Sequence, residues 1–394
     1  MHDPLDWIGD ELRQINSAHL LRRDVTRHGR QSIQVVIDGH PYINFSSNDY
    51  LGLAADQRLS SAVAQSLEDE GWGSGASPLV TGHGQPHAQL EDALAKFEQT
   101  EAALLFPTGF AANSSSIPAL VGREDYVFSD SKNHASIVDG CRLSRAHVQV
   151  YKHNDVDDLR SKLIAAPKKG RRLIVTDGLF SMDGDLAPLD RLAELATDHD
   201  TMLMVDEAHA TGVFGEHGRG VCEVYGVEEK VSLRVGTLSK ALGSLGGFVV
   251  GQRRLIELLR NRARAYVFST ATPAATAQAG LAALDIVRLE PQRREQLLQR
   301  AQDLRERLRQ TALNTGASCG QIIPVILGDA RRATAVALRL ADAGLLVPAI
   351  RPPSVPAGEA LLRISLSYLH TSEMIERLVA AVCECASNEI TDSI

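Results

Sequence analysis

The apolar residues of this chain follow two alternating periods. Seven short apolar runs rich in β-branched residues are separated by stretches with the 3.6-residue period of amphipathic helices. Because strands that alternate with helices form a mainly parallel sheet with helices on both faces, the pattern predicts an α/β domain with a seven-stranded sheet over residues 46–285. The runs are AALLF, DYVFS, VQVYK, RRLIVTD, TMLMVDE, VSLRVGT and GGFVVG.

The two ends of the chain have a different pattern. Residues 1–45 predict a helix, at about residues 4–23, and then a short polar hairpin that turns at Asp38–Gly39. After residue 285, a long amphipathic helix, three short strands and two helices predict a smaller α+β domain over residues 286–394. Its expected strands are residues 322–327, 345–350 and 361–368.

Charge and composition oppose several classes of function. The net charge is -8 and no Lys/Arg-rich face contains interleaved aromatic residues, so we expect no nucleic-acid partner. The first residues are acidic and the apolar runs are short, which opposes a signal peptide or a membrane span. The five cysteines are scattered and no second Cys or His pair completes a zinc site, which indicates buried thiols in a reducing cytoplasm and no metal.

Polar residues at the strand ends are the first place to look for a site. In open α/β sheets the ligand binds outside the carboxyl ends of the strands. The run TMLMV ends in Asp206-Glu207-Ala208-His209. Taken alone, Asp206 is more often a helix cap and His209 a hydrogen-bonded structural histidine, and no third residue at suitable spacing completes a metal site.

A lysine follows another of the predicted strands. The segment 236–243, GTLSKALG, places Lys240 after two hydroxyl side chains and among small residues that let a flat ligand approach the backbone. A lysine at a strand end is more often a surface charge, but a crowded and partly dry site favours imine formation by its amine. The order of a Walker phosphate loop is absent.

Three more strand ends carry polar groups. Thr108-Gly109-Phe110 opens a predicted helix and offers backbone N–H groups to a phosphate, while His134 and Ser181 follow other strands. Singly, each of these is more often a turn or a cap. Together they supply what pyridoxal phosphate requires: an amine, an anion for the pyridine nitrogen, a donor for the phenolate oxygen, a flat group over the ring and a phosphate cup.

Eight motifs resemble those of the α-oxoamine synthases, a family of pyridoxal-phosphate enzymes, and the likeness runs from about residue 20 to residue 385. It implies the type I fold, which is aspartate-aminotransferase-like, and a homodimer. The motifs are NFSSNDYLGL (44–53), GSGASPLVTGHGQPHAQLE (73–91), FPTGFAAN (106–113), SDSKNHASIVDG (129–140), TDGLFSMDGDLAPL (176–189), VDEAHATGVFGEHGRG (205–220), GTLSKALG (236–243) and AIRPPSVPAG (349–358).

The resemblance assigns roles around the cofactor. Lys240 would bind it as a Schiff base and move protons, Asp206 would pair with the pyridine nitrogen, and His134 would stack on the ring. The phenolate oxygen would lie near His209 and Ser181. The phosphate of the cofactor would contact Gly109, Phe110, Thr237 and Thr270, the last from a second subunit.

The resemblance also implies substrate residues. Arg363 would bind the amino-acid carboxylate, with Asn48 and His134 at the same place, and Arg22 and Ser354 would position the acyl substrate. Arg22 is also compatible with a solvated helix end. Three positions depart from many relatives: Pro78 stands for an arginine, Asp177 for a glutamate, and Leu361 or Leu362 for a second arginine.

Two segments indicate the branch of the family. AIRPPSVPAG and NFSSNDYLGL look most like the branch that condenses L-alanine with a pimeloyl thioester and releases CO2, the acyl carrier being coenzyme A or an acyl-carrier protein. The alternative within the family joins glycine to acetyl-CoA. Aminotransferase or retro-aldol chemistry on the same fold is opposed by the motifs, and a nucleotide-binding α/β protein with Lys240 as a simple phosphate ligand is the alternative from another class.

Overall fold

The structure, a computed structural model, describes residues 3–22 and 24–387. This part of the chain forms two compact units. The larger comprises residues 48–181 and 185–298, and the smaller comprises the described residues of 3–47, 182–184 and 299–387. The predicted N-terminal segment and most of the predicted C-terminal domain therefore lie in one and the same unit.

The strands of the described residues are short, and most belong to the larger unit. In chain order they are β1 (Arg27–His28), β2 (Gln34–Ile37), β3 (His40–Asn44), β4 (Ala102–Phe106), β5 (Tyr126–Asp130), β6 (His147–Tyr151), β7 (Arg172–Asp177), β8 (Met202–Asp206), β9 (Leu233–Thr237), β10 (Gly247–Gly251), β11 (Ile322–Gly328), β12 (Leu345–Leu346), β13 (Ala349–Ile350) and β14 (Ala360–Ser365).

The α-helices vary from one turn to five. In chain order they are α1 (Asp6–Ser17), α2 (Gln57–Glu70), α3 (Gln85–Phe97), α4 (Gly109–Leu120), α5 (Ala135–Ser144), α6 (Val156–Ala165), α7 (Leu189–Asp198), α8 (Val221–Tyr225), α9 (Arg253–Arg262), α10 (Arg264–Val267), α11 (Ala274–Leu289), α12 (Gln292–Gln310), α13 (Ala330–Asp342) and α14 (Ser372–Ser387). A π-helical turn (Pro78–Gly82) and a 3-10 turn (Glu228–Lys230) complete them.

The larger unit is built on the seven-stranded sheet that the sequence predicts. Its strand order is β4-β10-β9-β8-β7-β5-β6, and β10 alone runs antiparallel to its neighbours. Every residue of β7 and β9 is buried. This burial is expected, because a parallel sheet is covered on both faces. The α/β fold class is therefore confirmed.

The ends of the parallel strands define the position of the candidate site. β5, β7, β8 and β9 end at Asp130, Asp177, Asp206 and Thr237, and Asp177 lies opposite Asp206 in the register of β7 and β8. Since parallel strands end at a common edge, these polar residues and the turns that follow them gather there.

The smaller unit contains two sheets. β1, β2, β3 and β12 form one, in that order, and β11, β14 and β13 form the other. The predicted hairpin joins β2 to β3 through Asp38 and Gly39, whose φ angles of 50° and 78° are those of a tight two-residue turn. Helices α13 and α14, the two helices predicted for this part of the chain, pack against each other.

Two predicted elements differ from the structure. α1 ends at Ser17, not near residue 23, because His19 is left-handed (φ 57°) and Leu20 N–H closes onto Ile15 O at 2.9 Å. Arg23, at the predicted end of this helix, lies outside the described residues.

The second difference is the predicted strand 345–350, which is two strands. Leu345–Leu346 pairs with β3, whereas Ala349–Ile350 pairs with β14. Pro348 lies between them, and proline has no N–H for a strand ladder. Within residues 3–22 and 24–387, no helix is both long enough and apolar enough to cross a membrane.

Candidate active site

A chain of hydrogen bonds connects Lys240 to the turn before α2. Lys240 Nζ lies 2.7 Å from His209 Nε2, and His209 Nδ1 lies 2.6 Å from the hydroxyl of Tyr50, which in turn is 3.1 Å from Asn48 Oδ1. Tyr50 is fully buried and His209 almost so. The structure thus brings together three residues that the sequence predicts for the site and one, Tyr50, that it does not.

The direction of these hydrogen bonds determines which ring nitrogen of His209 carries a proton. The amide oxygen of Asn48 only accepts, so the Tyr50 hydroxyl donates to it and accepts from His209 Nδ1–H. His209 Nε2 is then an acceptor for Lys240. A neutral His209 oriented in this way can receive a proton from the lysine.

Asp49 shapes the turn that holds Asn48 and Tyr50. Its carboxylate accepts hydrogen bonds from the backbone N–H groups of Leu53 (2.8 Å) and Ala54 (3.2 Å). Burial raises the pKa of Asp49 to about 6, although those N–H groups and Arg293 act to lower it. The turn therefore has a fixed conformation and places the Tyr50 hydroxyl against His209.

A second chain of hydrogen bonds leads from Asp206 to His134. Asn113 donates from Nδ2 to Asp206 Oδ2 (2.5 Å) and to Ser136 Oγ (3.0 Å). Ser136 Oγ lies 2.7 Å from His134 Nδ1 and donates to it, because Nδ1 also accepts the backbone N–H of Ser136 at 3.3 Å and is therefore an acceptor. Asp206 also accepts from Ala208 N–H at 2.8 Å. The buried carboxylate and the imidazole are thereby held through two intermediate side chains.

The electrostatics favour a neutral His134. Burial lowers the pKa of its imidazole, the positive charge of Lys240 lowers it further, and the Asp206 carboxylate opposes both. Because Nδ1 accepts the hydrogen bond from Ser136, Nε2 carries the proton of the neutral ring. His134 keeps part of its surface exposed and its ring meets Phe110 edge-on, with centroids 6.3 Å apart.

Asp177 is a second carboxyl group beside Asp206. Burial raises the pKa of Asp177 well above its usual range, and the negative charge of Asp206 raises it further. Its Oδ2 accepts the backbone N–H of His134 at 2.8 Å. Asp177 therefore fixes the position of His134, and its burial beside Asp206 favours its neutral form.

A cradle of backbone and hydroxyl groups lies at the start of α4. Thr108 caps the helix by accepting Ala111 N–H at 3.0 Å, and a Cβ on Gly109 would lie 3.4 Å from Thr237 Cβ. A Cβ on Gly247 would overlap the Thr108 carbonyl. Ser239 lies beside them, its N–H 3.2 Å from Thr237 Oγ1. The glycines let the backbone pack closely beside a helix N-terminus, which suits an anion, and the Thr237 and Ser239 hydroxyls at this place both donate to Gly246 O, at 2.8 and 3.2 Å.

These groups fit pyridoxal phosphate. The N-terminus of α4 suits the phosphate, while a buried carboxylate (Asp206) suits a protonated ring nitrogen. Lys240 is half-buried, and its amine lies 2.7 Å from the ring of His209, three residues after Asp206. The donor set therefore matches each end of the cofactor.

Two other predicted cofactor residues, Ser181 and Thr270, also lie in the larger unit. Ser181 is half-buried in the turn after β7, close in sequence to Gly178, whose N–H donates to Asp206 O at 2.8 Å. Thr270 is exposed between α10 and α11, where it lines a small cavity with Pro78 and His87.

The predicted substrate residues Arg22, Ser354 and Arg363 lie in the smaller unit. Arg363 is buried on β14. Arg22 and Ser354 are both exposed, and the structure brings them to the same turn: Arg22 Nη2 donates to Pro352 O at 3.4 Å, and Ser354 N–H donates to Arg351 O at 3.1 Å. Arg351 also donates to His19 O, near Arg22 in the chain.

Four residues of the site were not predicted individually. Tyr50, Asn113 and Ser136 lie within motifs quoted above, but their bonding partners are distant in sequence. Glu207 is buried beneath the turn after β8, where it accepts the N–H groups of Val221 (2.9 Å) and Cys222 (2.7 Å). A carboxylate directly after Asp206 was the only sequence signal for it.

Known proteins resemble this chain over nearly its whole length. A family model described as aminotransferase class I and II matches residues 40–382. The 8-amino-7-oxononanoate synthase of Anaeromyxobacter dehalogenans (strain 2CP-1) is 48% identical over 379 residues, 96% of this chain and 95% of that protein. The protein of the same name from Geobacter sulfurreducens is 47% identical over 377 residues, 95% of this chain and 96% of that one.

Solved structures share the fold. A serine palmitoyltransferase from S. paucimobilis with a bound PLP–myriocin aldimine is 32% identical with a TM-score of 0.92, and the match covers 98% of each chain. An 8-amino-7-oxononanoate synthase from Francisella tularensis is 29% identical with a TM-score of 0.76, and the match covers 87% of this chain and 97% of that one.

Proposed function

Because the chain belongs to the aminotransferase class I and II family, we propose that it is a pyridoxal-phosphate enzyme that condenses L-alanine with a pimeloyl thioester and releases CO2, the step of biotin synthesis catalysed by 8-amino-7-oxononanoate synthases. Relatives of that name are 44–49% identical over nearly the whole chain. The observation that carries the proposal is the contact of Lys240 Nζ with His209 Nε2, 2.7 Å apart, at the sheet edge where Asp206 also lies.

Most of the residues that would hold the cofactor follow the carboxyl ends of strands in the larger unit. Lys240 would bind it covalently, Asp206 would bind the ring nitrogen, and His134 would cover the ring. His209 and Ser181 would contact the phenolate oxygen. The residues that would bind the phosphate are Gly109, Phe110, Thr237 and Thr270, the last contributed by the partner subunit of a homodimer.

The chain's own groups move protons and hold charge. Bound pyridoxal phosphate supplies a conjugated ring that accepts the electron pair left on the α-carbon of alanine. Asp206 keeps a negative charge in a buried position, where its electrostatic effect is strong. His209 Nε2 receives a proton from Lys240 Nζ, so that the amine can remove the proton of the α-carbon and later return one.

The remaining assignments concern the substrates. Arg363 would bind the carboxylate of alanine, and Asn48 and His134 would lie beside it. Arg22, which donates to Pro352 O, and Ser354, two residues after that proline, would position the acyl chain. The acyl carrier is either coenzyme A or an acyl-carrier protein. The cytoplasmic location stays a prediction.

A turnover assay tests this function. L-alanine, glycine and L-serine are each paired with pimeloyl, acetyl and palmitoyl thioesters, and kcat/KM is measured for every pair. We expect alanine with pimeloyl to be preferred, with residual activity for glycine, because one methyl group contributes only about 1–3 kcal/mol.

The same assay on Arg22→Ala tests the acyl site. A desolvated carboxylate at the far end of the pimeloyl chain needs a charged or hydrogen-bonding partner. We expect kcat/KM to fall for pimeloyl and to change little for acetyl, with exposed Arg13→Ala as the matched control. Preference of the wild type for acetyl with glycine, or for palmitoyl with serine, would assign the chain to another branch of the family.

A further inference from the structure

His153 lies between two carboxylates at the sheet edge. It follows β6 by two residues, and its Nδ1 is 3.0 Å from Asp130 Oδ1 while its Nε2 is 2.9 Å from Asp185 Oδ2. The Asp130 side chain is fully buried, and the Asp185 and His153 side chains are 11% and 20% exposed. The rings of His153 and Phe180 pack edge to face, with their centroids 4.4 Å apart.

The two carboxylates favour a charged imidazole at His153. A carboxylate oxygen only accepts hydrogen bonds, so each ring nitrogen of His153 must carry a proton, and an imidazole protonated at both nitrogens is a cation. Burial disfavours that cation, but the hydrogen bonds to Asp130 and Asp185 outweigh it and raise the pKa of His153 to about 9. The charged groups that face His153 are these two carboxylates, and Asp177 and Tyr151 interact electrostatically with Asp130.

Asp130 belongs to the turn that carries His134. This turn, residues 131–134 and here called the His134 turn, begins directly after Asp130, the last residue of β5. Asp130 Oδ1 accepts Lys132 N–H at 2.8 Å, and its backbone oxygen accepts Asn133 N–H at 3.3 Å. The position of the Asp130 carboxylate is therefore coupled to that of the His134 turn.

Asp185 belongs to the turn that carries Ser181. Residues 178–181 and 185–187, here called the Ser181 turn, are joined by the Leu179–Leu186 bridge and by Phe180 N–H to Asp185 O (3.0 Å). Asp185 Oδ1 is buried without a hydrogen-bond partner among the described residues, so its bonding depends on Oδ2, where His153 and Asn154 donate.

We propose that His153, as a cation between Asp130 and Asp185, is a positioning residue that ties the Ser181 turn to the His134 turn. The adjacent Asn154 reinforces the connection, because its N–H donates to Asp130 Oδ2 (2.9 Å) and its side chain donates to Leu186 O (3.1 Å). The effect on catalysis rests on the function proposed above, in which His134 and Ser181 contact the cofactor. The connection itself does not.

The test variant is His153→Asn. The asparagine amide nitrogen takes the position of Nδ1 and keeps a donor for Asp130, but the side chain is too short to reach Asp185. The matched control is His147→Asn. His147 is an exposed histidine on β6, the strand that His153 follows, and its ring stacks on Tyr126. Asp185→Asn, which keeps the shape and removes the charge, is a second variant in case the first folds poorly.

Hydrogen exchange without cofactor or substrate tests the connection. In His153→Asn we expect peptides covering residues 178–187 to exchange roughly tenfold faster, and peptides covering β8 and the control variant to be unchanged. The Tm of wild type should exceed that of the variant by the largest amount below about pH 6.5, and this difference should be lost as the pH rises through about 9. The reason is that His153 is protonated more readily in the folded state than in the unfolded state.

Kinetics test the positioning. We expect kcat of His153→Asn to fall roughly tenfold to hundredfold with little change in KM for alanine, because small displacements of reacting groups are costly. Exchange within twofold of wild type would overturn the connection, and faster exchange with normal kcat would overturn the positioning role. A wild type without turnover would contradict the proposed function, and the absorption band of bound cofactor in variant and wild type would then decide the positioning role.

Discussion

At the scale of single residues, the orientation of the reactive groups depends on buried hydrogen bonds between residues far apart in the sequence. Tyr50 and His209 are 159 positions apart, and Asn113 and Asp206 are 93 apart. Each of the first pair is at most 7% exposed, so a lost partner cannot be replaced readily by water. The two chains of hydrogen bonds thus select one tautomer for His209 and one for His134.

A prediction follows for Tyr50→Phe. The substitution removes only the hydroxyl, so His209 Nδ1–H loses its acceptor and the tautomer that presents Nε2 to Lys240 loses its preference. Leaving a buried donor unsatisfied costs about 1–3 kcal/mol, so kcat/KM should fall roughly five- to hundredfold. The matched control is Tyr42→Phe on β3, which lies outside the site. Unchanged kcat/KM in Tyr50→Phe would show that the tyrosine does not orient His209.

The sequence located many site residues because of where strands end. Asp206 is the last residue of β8, and His134, Ser181, His209 and Lys240 follow strand ends at the same edge, which the rule for parallel sheets anticipates. Tyr50 and Asn113 could not be found in this way. Tyr50 lies in a turn before α2 and Asn113 within α4, so only the folded chain shows what their side chains face.

At the scale of elements, β10 is the strand that shapes the cradle. It runs antiparallel between β4 and β9, so its first residue, Gly247, lies opposite both Phe106 and Thr237 at the end where α4 begins. The backbone of β10 and the Thr108 carbonyl come so close that no side chain fits between them.

Gly247→Ala should therefore damage both stability and cofactor affinity. The added methyl overlaps the Thr108 carbonyl, and overpacking of this kind costs about 1–3 kcal/mol. Displacement of α4 from Thr237 would also widen the cradle, so the Kd for pyridoxal phosphate should rise. Urea unfolding and cofactor titration measure the two effects. Gly73→Ala is the control, because a Cβ there meets nothing within 4 Å, and equal behaviour of the two variants would contradict the prediction.

The sequence predicted elements well where the apolar pattern was clear over the whole element. It predicted them poorly where a single residue determined the end of an element. The seven runs became seven strands, and the long helix after residue 285 became α12. The segment 345–350 looked like one strand, since its apolar pattern does not reveal that its two halves pair in different sheets. The end of α1 depended on the left-handed His19, a residue with no strong preference for that conformation.

At the scale of the whole molecule, the expected homodimer makes a prediction for mixed chains. If Thr270 serves the partner's phosphate, Lys240→Ala and Thr270→Asp chains should complement each other, since a heterodimer contains one site with an intact lysine and an intact threonine. Random pairing makes half of the dimers mixed, so activity should recover to about a quarter of wild type. The control mixes Lys240→Ala with the Lys240→Ala/Thr270→Asp double variant, which forms no intact site. Equal activity in both mixtures would place Thr270 within its own subunit's site.

The sheet that unites the two ends of the chain has a consequence for biosynthesis. β3 is made before residues 48–298 of the larger unit and its partner β12 after them, and Ile43 of β3 pairs with Leu345 of β12. Domains fold largely as they emerge. The larger unit can therefore fold while β3 still has one unpaired edge, a kind of edge that invites association with other chains. The smaller unit is completed only after the larger unit has been made, so that edge stays open to chaperones while residues 48–298 are synthesised.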